Sequence, residues 1–247
     1  MRQAQAVTEQ AAQILEAAKG RKDPLSGSLS LGVIYTISPY LLPELVCEAI
    51  ERVPQMPLML QENFTGKLLE LLRRGELGCA IMAEPFPDTG LAIAPLYDEP
   101  FVVAVPKTHA LARRKSVTPE ELKQEKMLLL SIGHCFRDHV CEVCPEYAQF
   151  SHDHTEGKTF EGSSLETIKH MVASGFGVAV VPQLSVPTAK QTHIAYVPFA
   201  KPDPTRRVVL TWRRSFTRYE AIAALRDTLD ACELKGVARL SRGAAWG

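Results

Sequence analysis

The stretch SLSLGVIYTISPYLLPELVCEAIERVPQMPLMLQENFTGKLLELLRRGELGCAIMA, residues 28–83, decides the fold. Its first eight residues put Leu29, Leu31 and Val33 on one face at the two-residue period of a strand. The turn T-I-S-P follows, with Ser38 as the expected helix cap and Pro39 in the first helical position, and LLPELVCEAIERVP continues that helix. PLMLQEN (57–63) is a second strand, Thr65 is the expected cap of a helix in TGKLLELLRRGEL, and GCAIMA (78–83) is a third strand. Strand, helix, strand, helix, strand makes a βαβαβ unit with a parallel sheet, so the class is α/β. In such sheets ligands sit outside the carboxyl ends of strands, near helix N-termini. The turns around Thr36 to Pro39 and Asn63 to Thr65 hold those places, and their hydroxyls are either ligand contacts or plain helix caps.

Downstream the alternation continues. PFVVAVPKTH (100–109) and KMLLLS (126–131) read as strands, with Thr118-Pro119-Glu120-Glu121 as a capping-box helix start between them. Ser163 and Glu166 suggest a second capping box ahead of LETIKHMVASGFG, which stops at Gly175 to Gly177 and leads into the strand VAVVP. HIAYVPF and RRVVLTW are late strands, and RYEAIAALRDTLDAC (218–232) closes as an amphipathic helix. Upstream, residues 2–19 carry Val7, Ala11, Ile14, Leu15 and Ala18 on one helical stripe with too little large apolar surface to form a core, and GRKDPLSG reads as a linker. The expected layout is a linker helix and hinge over 1–25, one lobe from 26–97 with 199–234, a second lobe over 98–198, a crevice between them, and a disordered tail over 235–247.

At 247 residues, 46% hydrophobic and 23% charged, the composition is that of a globular chain with a sizeable core, which excludes disorder, collagen and a disulfide-scaffolded miniprotein. Twenty-eight Lys and Arg balance 28 Asp and Glu, so the chain lacks the basic field with which nucleic-acid binders grip phosphate. No apolar run approaches the roughly 20 residues of a membrane span, so a cytoplasmic location is expected. Its six cysteines (Cys47, Cys79, Cys135, Cys141, Cys144, Cys232) would then sit in a reducing compartment, where a disulfide is normally transient and functional.

Three of those cysteines fall in the twelve residues GHCFRDHVCEVC, 133–144, with His134, Arg137, Asp138 and His139. One reading is zinc, with Cys141-x-x-Cys144 as a knuckle completed from His134, Cys135, His139, His152 or His154; structural zinc usually uses two knuckles, and only one is present. A thioredoxin-like dithiol lacks its aromatic and proline context in C-E-V-C-P. A third reading is a reactive thiol at Cys135, placed just after a strand, where the positive end of a helix starting here would favour the thiolate. A thiolate attacks peroxide to give a sulfenic acid, which a second thiol condenses into a disulfide. The fourth reading packs all three as small hydrophobes. If 134–144 is helical, Cys135 and Cys144 lie about 13 Å apart at 1.5 Å per residue, whereas a disulfide needs Cα atoms within roughly 7 Å. A bond between them would close only by unwinding the segment.

Several segments together resemble a known family. SGSLSLGVIYTISPYLLP (26–43), QENFT (61–65), GELGCAI (75–81), GHCFRD (133–138), SLETIKHMVASGFGVAVVP (164–182) and KPDPTRR (201–207) are similar to LysR-type transcriptional regulators, and GHCFRD with a cysteine nine residues on resembles their hydrogen-peroxide-sensing branch. The resemblance implies two Rossmann-like lobes of the periplasmic-binding-protein type, with residues 2–20 as the end of a linker helix and the DNA-binding domain absent from this chain. It implies that Cys135 is the peroxide-reactive cysteine and Cys144 its resolving partner, with His134, Arg137 and Asp138 around the thiol. Thr36 and Thr65 match hydroxyls that bind peroxide and water, and Arg206 matches an arginine that contacts the site in the reduced form. Cys141 has no counterpart in that pattern; Cys47, Cys79 and Cys232 are expected in the core. The implied function is a redox-sensing regulatory domain, not an enzyme, with no cofactor or metal, acting as a homodimer or homotetramer and reaching promoter DNA and RNA polymerase only through the full-length protein. The competing reading is a LysR-type domain that senses an organic metabolite in the crevice.

Overall fold

The first strand, β1 (Leu29–Ile34), is buried along nearly its whole length, because it lies in the middle of a sheet with a neighbour on each side. It pairs in parallel with β2 (Leu58–Asn63) and β3 (Cys79–Ala83), as the βαβαβ reading requires. Between them run α1 (Ser38–Arg52) and α2 (Thr65–Arg74). α2 buries Leu68, Leu69, Leu71 and Leu72, each worth about 2 kcal/mol of apolar burial, and Arg73 and Arg74 sit at its negative end. It stops at Gly75, whose φ of 79° is left-handed and whose N–H returns to the carbonyls of Leu71 and Leu72. The computed structural model describes residues 25–87, 90–149, 159–188 and 193–240, so the expected helix over 2–20 and the end of the tail lie outside the described residues.

The chain divides into two compact units. Unit one holds the described residues up to Leu96 and Val209–Glu233; unit two holds Tyr97–Val208 and resumes at Leu234. Two long strands pass from one to the other, β4 (Leu91–Pro106) and β9 (Thr205–Arg213). In unit two, β4 pairs antiparallel with β7 (Ala179–Pro182) and β8 (Ile194–Pro198), while β5 (Met127–Leu130) and β6 (Thr159–Gly162) form a separate parallel pair. The sheet as a whole is therefore mixed, parallel in the βαβαβ part and antiparallel around β4. Helices α3 (Pro119–Leu122), α4 (Cys135–Val143), α5 (Glu146–Gln149) and α6 (Leu165–Ala173) belong to unit two, and α7 (Tyr219–Ala231) to unit one.

Some local expectations need correction. The capping box at Thr118 is present in both halves, with the Glu121 carboxylate accepting from the Thr118 N–H at 2.9 Å and the Thr118 hydroxyl accepting from the Glu121 N–H at 3.3 Å. Ser38 does not cap α1: it is the first residue of that helix, and its hydroxyl donates to Glu62 across to β2 at 2.5 Å. Thr65 likewise begins α2 rather than capping it. The cap of α6 is Ser164, which accepts from the Thr167 N–H at 3.4 Å, while Glu166 pairs with Lys169 at 2.9 Å. Nor is the tail wholly disordered: β10 (Ala238–Arg239) pairs antiparallel with β4, because the backbone of Tyr97 and Asp98 offers a free ladder edge there.

Candidate functional site

The dense segment is built on a strand-turn-helix unit. β5 ends at Leu130, the chain turns through Gly133 at φ 104°, a left-handed angle that suits glycine, and α4 begins at Cys135. His134 caps it without a side-chain bond, so the first N–H groups of the helix end beside the Cys135 side chain. Cys135 is half-buried, whereas Phe136, Arg137, His139 and Val140 turn inward.

Each inward neighbour has a fixed partner. His134 is 5% exposed, and its Nε2 meets the Ser163 carbonyl at 3.2 Å. A carbonyl only accepts, so Nε2 carries the proton. Burial outweighs that bond and pulls the imidazole below its ordinary range, which leaves the ring neutral at neutral pH with a lone pair on Nδ1. Arg137 Nη1 donates to the Leu130 carbonyl at 2.8 Å and its Nη2 pairs with Glu161 at 2.9 Å, so its charge is spent stitching α4 to β5 and β6. Asp138 is exposed in the first turn of α4, where a carboxylate suits the positive helix end.

Arg206 reaches the same helix from β9. It is buried, pairs with Glu99 at 2.7 Å, and its guanidinium lies 5.0 Å from the centre of the Phe136 ring. Phe136 also meets Phe101 edge to face at 5.0 Å. Glu99, 0% exposed, accepts in addition from the Leu184 N–H at 2.8 Å. Sequence reasoning missed Glu99 and Phe136. The available signal was a carboxylate inside the apolar run of β4, since a charge buried there needs a partner.

The far end of α4 differs. Cys144 stands at its C-cap with 0% exposure, and burial, with the Glu146 carboxylate adding to it, pushes its thiol up to about 12. Tyr147 follows, its hydroxyl donating to the carbonyls of Glu125 at 2.9 Å and Leu122, so the chain is anchored just past the cysteine. Cys141 is half-buried; burial raises its thiol while the Arg137 charge pulls it back. All six cysteines are free thiols; Cys79 and Cys232 are buried as expected, but Cys47 is exposed, because it falls on the outer face of α1.

The structure therefore gathers His134, Cys135, Arg137, Asp138 and Cys144 on one segment of unit two, with Arg206 packed onto it through Phe136. Thr36, buried in the turn after β1, and Thr65 belong to unit one, and the Thr65 hydroxyl is buried with no hydrogen-bond partner among the described residues. No group of three or more His, Cys, Asp or Glu side chains among the described residues is placed to hold a metal, and His152 and His154 lie outside them. Among the described residues no helix is long and apolar enough to cross a membrane.

Residues 22–233 match the family model of the LysR substrate binding domain. The chain is 35% identical over 233 residues to the DNA-binding transcriptional dual regulator OxyR of Escherichia coli strain K12, covering 92% of this chain and 75% of that protein. A reduced form of OxyR from N. meningitidis superposes with a TM-score of 0.82 at 41% identity, covering 87% of this chain and all of that one. A hydrogen-peroxide-bound cysteine-to-serine mutant of OxyR from Corynebacterium glutamicum gives 0.77 at 31% identity, covering 91% and 70%.

Proposed function

Because the chain belongs to the LysR substrate-binding-domain family, and its relatives named OxyR include a hydrogen-peroxide-bound form, we propose that it is the redox-sensing regulatory domain of a LysR-type transcription factor. The observation that carries this reading is the asymmetry of α4, with a half-exposed Cys135 at its first residue and a sealed Cys144 at its last.

In this reading the Cys135 thiolate attacks one oxygen of hydrogen peroxide, the O–O bond breaks, and hydroxide leaves, taking a proton to become water. The sulfur is oxidised to a sulfenic acid and the peroxide is reduced. The Cys144 sulfur then displaces that hydroxyl, releasing a second water and forming the disulfide. Neutral His134 offers a lone pair rather than a charge, so its part is to take or hold a proton near the thiol. The positive end of α4 supplies the electrostatic help. Thr36, Thr65 and Arg206 orient peroxide or hold the reduced arrangement. Since the two cysteines bracket a helix, disulfide formation unwinds α4, and the new arrangement alters contacts within a homodimer or homotetramer. Promoter DNA and RNA polymerase are reached through the DNA-binding part of a full-length regulator in the cytoplasm, and the domain reacts about once per oxidation event instead of turning over as an enzyme.

Peptide mass mapping after one equivalent of peroxide tests this. The expected product is a Cys135 to Cys144 disulfide; Cys144→Ser should stall Cys135 as sulfenic or sulfinic acid, and Cys141→Ser should oxidise like the parent. A chain that leaves Cys135 reduced, or that joins it to Cys141, overturns the assignment.

A further inference from the structure

Unit one contains a cavity of about 290 Å³ that the redox chemistry does not use. It is lined by Ser28 at the entry to β1 and Gly78 at the entry to β3, the edge of the parallel strands opposite to the Thr36 turn. Arg213, Arg218, Ser215, Thr217 and Glu76 complete the polar part of its wall. Arg218 is engaged on one side only: its terminal nitrogens donate to the carbonyls of Ser28 at 2.7 Å, Gly27 at 3.0 Å and Ser26 at 3.2 Å, while its Nε is buried without an acceptor. Arg213 makes no side-chain hydrogen bond or ion pair among the described residues, and its Nε is buried without an acceptor too.

Two guanidinium groups side by side, next to serine and threonine hydroxyls, carry more N–H donors than the carbonyls of Ser26 to Ser28 accept. Leaving such donors dry is unfavourable, and a guanidinium fork matches the oxygens of a phosphate better than any neutral group does. The same wall leads into the 13-residue helix α7, whose N-terminal residue is preceded by Arg218 as a cap without a side-chain bond, so the positive end of that helix faces the same region. Glu76 is the one carboxylate of the wall; it tolerates a hydroxyl-bearing ligand, since a hydroxyl can donate to it, and disfavours a bare polyanion.

We propose that this cavity is a binding site for a small phosphate-bearing molecule, free or esterified, held by Arg213 and Arg218. Because Arg218 also holds the three carbonyls of Ser26 to Ser28, occupancy bears directly on the chain that enters β1.

Inorganic phosphate and glycerol 3-phosphate, each titrated against chloride at matched ionic strength, test the proposal through the melting temperature of the reduced chain. A saturable rise with either supports it, and a stronger rise with the ester identifies an esterified ligand. Arg213→Gln should weaken the apparent affinity by about tenfold or more, the loss of one charge-assisted fork. Arg213→Lys keeps the cation and serves where the Gln variant does not fold; it too should bind phosphate more weakly, because the fork is gone. Cys135→Ser should bind like the parent, since the site owes nothing to the redox segment. No saturable shift with either anion, or an affinity that both Arg213 variants leave unchanged, overturns the proposal.

Discussion

The two ends of α4 carry the same functional group in opposite circumstances. At the first residue the Cys135 thiol is half-exposed beside the backbone N–H groups of the first turn; at the C-cap the Cys144 thiol is sealed and pushed up to about 12. The difference teaches that a helix can ration reactivity by position. Its N-terminus gives one sulfur a favourable field and access to solvent, while its last turn delivers the other into the core, where an anion is unwelcome. In the proposed reaction, a partner thiol that is sealed while the helix stands bonds only after Cys135 has been oxidised.

The sharpest way to break this comparison is alkylation of the folded, reduced chain at neutral pH. With its thiol at about 12 against an ordinary 9.0, Cys144 holds about a thousandfold less thiolate than a free cysteine and should label at least that much more slowly, while Cys135 labels readily. Equal labelling in a quench-and-map experiment would show that α4 opens without oxidation.

Next in size is Glu99→Gln. It leaves the Arg206 guanidinium buried without its carboxylate, beneath the Phe136 ring that follows Cys135, and should cost about 3–5 kcal/mol in urea unfolding. The effect should fall on the N-terminal end of α4: Cys135 accessibility changes, Cys144 labelling stays slow. If both change together, the two ends are not independent.

The smallest effect concerns His134. Its folded imidazole lies below the ordinary value of 6.5, so the folded chain binds this proton less readily than the unfolded one. The stabilisation is complete above the ordinary value and is lost as pH falls from there through the folded value, at no more than about 1.4 kcal/mol per pH unit. Melting temperatures taken downward from neutral pH should decline less in His134→Gln, which keeps a donor for the Ser163 carbonyl and does not titrate. An identical decline in both would assign the acid sensitivity elsewhere.

Much of this was legible beforehand, for identifiable reasons. β1 to β3 and α2 announce themselves because periods of two and 3.6 residues are local and survive into the structure. The helix starts were off by a residue, and at Ser38 the expected capping hydroxyl is taken by a tertiary partner, the Glu62 carboxylate. The strand was expected from Pro100, whereas β4 starts at Leu91 and runs through Pro95, because a proline is tolerated where a strand has no ladder bond to give. The spacing of Cys135 and Cys144 was plain, and so was the need to unwind. What no spacing could reveal was the Glu99–Arg206 pair, separated by 107 residues, or that His134 would be neutral, since both depend on what else is buried nearby.

α4 is pinned on both sides, by His134 on the Ser163 carbonyl before it and by the Tyr147 hydroxyl on the backbone of Leu122 and Glu125 after it. A length of chain fastened at two posts cannot drift in register when it is pulled out of shape; it winds back between the same posts once the tension is released. If α4 unwinds as proposed, it does so like a coil spring with fixed mounts, and memory of the resting state lies in the mounts, outside the part that moves.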